Sequence, residues 1–137
     1  MKKKQFAVAV ILLAAAVLGL LMWQPWVRSS GILVVVDGEA YDPAASVPSG
    51  DLQVHLTFDG KEIAAFPFDE AHTVRVLQEN GDENTLVLTG ESVYMESANC
   101  EGQDCVHMEE VTRDNLETRV MFGMIICLPH RLSVEVR

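Results

Sequence analysis

The stretch Leu52–Phe58, LQVHLTF, alternates apolar and polar side chains without a break. Leu52, Val54, Leu56 and Phe58 fall on one face, and Gln53, His55 and Thr57 on the other. A period of two matches the pleat of a half-buried strand and does not match a helix. The pattern recurs along the chain. Asp59-Gly60 turns into KEIAAFPF, TVRVL (Thr73–Leu77) follows, and TLVLTGESVYM sets Thr89-Gly90 between two strands. Earlier, the β-branched run Ile32–Val36 leads into Asp37-Gly38, a strong hairpin signal. Near the C-terminus, MFGMIIC reads as a buried strand and Leu128-Pro129 as a break, because proline has no N–H for a ladder. Leu132, Val134 and Val136 then share one face of a last strand. Only Met108–Val120 has a helical look, with weak apolar spacing. Short strands with turns every ~8 to 12 residues predict an all-β fold, a small antiparallel β-sandwich or barrel-like domain.

The first quarter of the chain is of another kind. After Lys2, Lys3 and Lys4, the segment Phe6–Trp23 runs for eighteen residues without a charge. As a helix that is near the length needed to cross a hydrocarbon core of roughly 30 Å. Trp23 and Trp26 stand where interfacial aromatics belong, and Pro25 ends the helix. The lysines ahead of the span place the N-terminus in the cytoplasm and the remainder outside. Cleavage at Ala14–Ala16 would leave VLGLLMW as a new apolar end, so an uncleaved signal anchor is expected over a cleaved signal peptide. The expected organisation is a basic cytoplasmic stub at 1–5 and a transmembrane signal anchor at 6–26. A stalk or linker with a possible first strand follows at 27–50, then an extracytoplasmic β domain at 51–137. The protein is expected to be a single-pass cell-membrane protein.

Residues 27–137 carry seven Arg and Lys against twenty Asp and Glu, a net of −13. No basic cluster exists to neutralise phosphates, so nucleic acid is not an expected partner. The acidic residues are scattered, as on a soluble, self-repelling surface. No G-x-S-x-G, H-E-x-x-H, phosphate-binding glycine loop or EF-hand pattern occurs. No catalytic residue is assigned, and the expected class is non-enzymatic.

Three pieces together, VHLTFDGKEIAAFPFDE, NTLVLTGESVYMESANCEGQDCV and IICLPHRLSVEV, resemble the NusG domain II-like family. Its members are small bacterial domains, often behind one N-terminal membrane anchor. The specific part is C-x4-C-V (Cys100, Cys105, Val106) followed by I-x-C-L-P-H-R-L-x-V-x-V from Ile125 to Val136. The similarity covers about Asp51 to Arg137. It implies a compact β-sandwich or barrel-like fold and little chemistry. A domain outside the membrane cannot meet RNA polymerase, so the family name carries no transcriptional role here. The stretch HMEEVTRDNLETRVMFGM, glycine-free until Gly123, departs from the family pattern and is longer.

All three cysteines and two of the four histidines lie between Cys100 and His130. Outside the cytoplasm, neighbouring thiols oxidise, and any two of Cys100, Cys105 and Cys127 are disulfide candidates. Alternatively, Cys105-x-His107 and Cys127-x-x-His130 form a two-plus-two set of the type used by Rieske [2Fe–2S] centres or by structural zinc. His55 and His72 receive no role. Two functions follow. The first is a membrane-anchored accessory domain, without cofactor, that docks onto a membrane or cell-surface protein. The second is a redox or metal-binding electron-transfer module holding an iron–sulfur cluster or zinc at Cys105, His107, Cys127 and His130.

Overall fold

The structure is a computed structural model that describes residues 31–44 and 48–137. The transmembrane anchor expected at 6–26 and the basic stub lie outside the described residues. Among the described residues no helix is long and apolar enough to cross a membrane.

Among the described residues, ten strands form two antiparallel sheets. They are β1 (Ile32–Val36), β2 (Glu39–Ala40), β3 (Gln53–Phe58), β4 (Lys61–Pro67), β5 (Ala71–Gln78), β6 (Glu83–Thr89), β7 (Ser92–Ala98), β8 (Val111–Thr112), β9 (Met124–Cys127) and β10 (Leu132–Val136). A single helical turn, α1 (Asp104–His107), separates β7 from β8. One sheet has the order β2-β1-β5-β6-β7-β8 and the other β4-β3-β10-β9. Neither closes on itself, so the open sandwich holds and the barrel-like alternative does not. The alternation seen in the sequence is realised directly. Val54 and Leu56 of β3 and Leu132, Val134 and Val136 of β10 point inward from one sheet. Val74 and Val76 of β5 and Leu86 and Leu88 of β6 do so from the other, and all belong to one core.

The turn dipeptides do what their chemistry requires. Asp37 and Gly38 have φ of 51° and 91°, and Asp59 and Gly60 have 49° and 75°. Positive φ at both central residues is the I′ geometry whose twist matches the flanking strands. The possible first strand expected within 27–50 forms: β1 pairs along its whole length with β5, Ile32 opposite Gln78 through Val36 opposite Val74. Its valines gain a partner by joining the sheet, and the compact unit that contains it runs from Gly31 to Arg137. Tyr41, just past β2, donates its hydroxyl to the Ala65 carbonyl of β4 at 3.2 Å and so links the edges of the two sheets.

Two other expectations change. Met108–Val120 contains the short strand β8 and a series of turns in place of a helix. The strand expected from Met121 begins only at Met124, leaving Val120, Met121 and Phe122 exposed in a loop. Phe122 has φ 49°. Gly123 lies so close to the Val136 carbonyl that a β-carbon there would collide with it. Its own carbonyl accepts from Val136 N at 2.8 Å, so the chain turns sharply before β9 can pair.

Candidate functional site: three thiols and a histidine at one end of the sandwich

Four chemistry-bearing residues meet where the two sheets share an end. Cys100 follows β7 by two residues, and Cys105 sits in α1. The helical turn opens at Gln103, which has φ 54° and whose side chain donates to the Ala98 carbonyl at 2.7 Å. That bond folds the loop back so that both thiols face inward. Cys127 ends β9, and His130 lies in the turn to β10, closed by Arg131 N donating to Leu128 O at 3.1 Å. All four residues are buried.

The Sγ atoms of Cys100 and Cys105 are 3.9 Å apart. One ligand atom each from Cys100, Cys127 and His130 lies within 4.8 Å of the other two. Cys105 also faces Cys127: burial first, then the neighbouring thiols of Cys127 and Cys100, push its pKa far above the usual thiol range. Cys105 is thus a neutral thiol, unlike the low-pKa thiolates of exchange enzymes. The three disulfide candidates come together, and none is bridged to another in this structure.

His107 does not join them. It is exposed, and among the described residues it belongs to no grouping of three ligands. The reason is local. The C-x-H pair falls on a helical turn, where side chains two apart point about 200° from one another. Of the expected set Cys105, His107, Cys127 and His130, the structure brings Cys127 and His130 within 4.8 Å of each other and of Cys100, and Cys105 within 3.9 Å of Cys100, while His107 stands apart.

His130 is held from the opposite sheet. Its Nδ1 is 2.7 Å from Asn84 Oδ1, and its carbonyl accepts from Gln78 Nε2 at 2.8 Å. Asn84 is itself buried and turns its Nδ2 toward Met95 Sδ at 3.6 Å. A thioether cannot donate, so the amide nitrogen belongs on that side and Oδ1 faces the ring. Oδ1 only accepts, so Nδ1 carries the proton, and in the neutral ring Nε2 keeps its lone pair. Nε2 is 3.6 Å from Asp82 Oδ1, beyond hydrogen-bond reach. Asn84 was missed from the sequence because nothing in ENTLVLT marks one polar residue as inward-facing.

A cleft of about 580 Å³ is a separate feature and shares no residue with the thiol cluster. Asp37, Tyr41, Phe66, Glu70 and His72 line it. His72 Nδ1 is 2.8 Å from Asp37 Oδ2, and its Nε2 is 3.2 Å from Glu70 Oε2. Partial burial lowers the His72 pKa, but the bonds to Asp37 and Glu70 outweigh it and leave it above 6.5. The bond to His72, then the Thr73 amide, holds Asp37 below 3.8. A raised histidine pKa stabilises fully below 6.5 and loses that contribution as pH rises through the folded value. A lowered aspartate pKa stabilises above 3.8 and loses it as pH falls through the folded value. The pair therefore contributes most between these limits. His72→Gln is expected to flatten the fall of Tm as pH rises above 6.5. Identical slopes in variant and parent would refute this.

A family model for NusG domain II matches residues 7–137. The chain belongs to the NusG domain II family. Among solved structures it is similar to a DUF1312 family protein, EF3258 of Enterococcus faecalis V583, at 25% identity with a TM-score of 0.55. That match covers 63% of this chain and 95% of the other. The crystal structure of Lin0431 from Listeria innocua matches at 20% identity and TM-score 0.53, over 63% of this chain and 94% of that one, and shows the fold alone. Comparison with curated proteins gives no match.

Proposed function

We propose that this NusG domain II protein is a non-enzymatic accessory domain, held outside the cytoplasm by an N-terminal anchor. Its β domain docks onto a membrane or cell-surface protein. One observation supports docking above others. Val120 is 94% exposed and Phe122 64% exposed, beside the exposed Met121, at a loop tip that the fold constrains. Buried Arg119 holds the carbonyls of Phe122 and Met124 beneath it, and Gly123 packs against β10. Large apolar side chains held rigidly in water mark contact surfaces. The exposed Glu109, Glu110 and Glu117 flank this tip in the chain, which fits an apolar socket with a basic rim.

The test uses the full chain in membranes, with a photo-crosslinking side chain at position 122 and, as control, at Lys61. A discrete adduct from position 122, abolished by Val120→Asp and absent from the control, is the expected result. Equal adducts from both positions would reject docking through the loop. Labelling of a C-terminal tag in intact cells tests the topology, and protection of the tag would reject an extracytoplasmic domain.

The alternative reading is a redox or metal-binding electron-transfer module. It draws on the convergence of thiols, but a Rieske-type centre needs two imidazoles, and only His130 is available at the cluster. Iron with visible absorbance in anaerobically isolated protein would favour it over the accessory reading.

A further inference from the structure

We propose that Cys100, Cys105, Cys127 and His130 form a structural zinc site that clips the two sheets together at one end of the sandwich. The proposal takes over the metal-binding alternative with a different ligand set, and it stands or falls independently of docking through the Val120–Phe122 loop.

The spacing suits one small cation. A tetrahedral centre with metal–sulfur bonds of about 2.3 Å has sulfur–sulfur edges of about 3.8 Å. Cys100 and Cys105 stand 3.9 Å apart, and the set of Cys100, Cys127 and His130 closes within 4.8 Å. The closed set of three does not include Cys105, which joins as the fourth ligand through its 3.9 Å approach to Cys100. The chemistry suits zinc, since three thiolates and one imidazole are a Cys3His set, common in structural zinc sites. Binding releases the three thiol protons to solvent, and the ring contributes its lone pair without losing one.

The imidazole has the arrangement that a ligand needs. Ligating histidines hold their second ring N–H on an acceptor, which fixes both the tautomer and the ring plane. Asn84 Oδ1 does this for Nδ1 at 2.7 Å, leaving the lone pair on Nε2, whose nearest charged neighbour is Asp82 Oδ1 at 3.6 Å. Asn84 is fully buried and belongs to the six-stranded sheet, while His130 belongs to the β9–β10 turn of the other. The four ligands divide in the same way, Cys100 and Cys105 in the segment from β7 through α1, and Cys127 and His130 at the end of β9 and in the turn to β10. One cation would therefore join elements that are otherwise connected only by packing and a few hydrogen bonds. A domain of this size gains much from such a clip. A closed four-ligand shell leaves no open position for substrate, in keeping with a structural role.

The test uses residues 31–137. These form one compact unit, and solved relatives of which 94% and 95% is covered show that such a domain stands alone. The protein is isolated under reducing conditions, its zinc and iron are counted, and the zinc-free form is titrated with cobalt(II) as a coloured probe. The expected result is one zinc per chain and a saturable cobalt spectrum with thiolate charge-transfer and intense tetrahedral bands, displaced by zinc. Zinc is also expected to raise the Tm of the unsubstituted protein, a readout independent of whether variants fold. Cys127→Ser and Cys100→Ser should abolish the tetrahedral bands. Asn84→Ala, a positioning change, should weaken cobalt binding by about 10- to 100-fold. His107→Ala should leave it unchanged. Reduced, folded protein that takes up no cobalt would overturn the proposal, as would iron in place of zinc. Binding that survives Cys127→Ser, or binding lost in His107→Ala, would overturn it equally.

Discussion

Phe68→Ala is expected to destabilise the β domain by about 3–5 kcal/mol, the range for removing a fully buried aromatic side chain. Phe68 follows β4 and has no solvent exposure at all. Its amide donates to the Leu52 carbonyl at 3.1 Å, so the backbone cannot move far to fill the space left behind. The Arg113 guanidinium lies 5.3 Å from the ring centroid and also approaches Asp51 at 3.4 Å. That outer layer is exposed, and Arg113→Ala should cost only about 0.5–1 kcal/mol. Denaturant unfolding of both variants checks the contrast. A loss of less than about 1 kcal/mol for Phe68→Ala would mean that the site collapses freely, and the close packing described here would be wrong.

Arg119→Met should cost about 2–4 kcal/mol, by removing the buried donor shared by three part-buried carbonyls at once. Arg119 is 7% exposed and, among the described residues, forms no ion pair. Its guanidinium donates to the carbonyls of Glu109, Phe122 and Met124, while its Nε is buried without an acceptor. A planar fork can serve several carbonyls in fixed directions, whereas an ammonium on a flexible stem cannot. Arg119→Lys is accordingly expected to recover little of the loss. Hydrogen exchange gives the local readout, with amides from 119 to 124 losing protection in both variants. A lysine variant as stable as the parent would show that charge alone, and not the fork, organises the loop.

The strands were legible because their signal is repetitive and local. Val54 and Leu56, or Val134 and Val136, announce a buried face through simple alternation, and Asp37-Gly38 and Asp59-Gly60 announce turns through the φ they permit. Met121 and Phe122 were misread for the same reason. Hydropathy placed them in a buried strand, but the close approach of Gly123 to the Val136 carbonyl forces the turn that exposes them. A contact thirteen residues away in the chain leaves no mark on local periodicity.

The cysteine region divides along that line. C-x4-C-V and the run Ile125–Val136 were enough to indicate the family, and residue types alone pointed to thiol or metal chemistry. Which side chains share a site depended on the direction each one points. A helical turn sends Cys105 inward and His107 out, and the packing of one sheet on the other brings Asn84 to His130. Composition and period were sufficient for an acidic, all-β antiparallel domain, because burying one face of each strand is a demand every segment meets separately, while the choice of an open sandwich over a barrel came from the sheet order. The meeting of three sulfurs with one imidazole was decided only in three dimensions, because it joins residues 84, 100, 105, 127 and 130 through the packing of one sheet on the other.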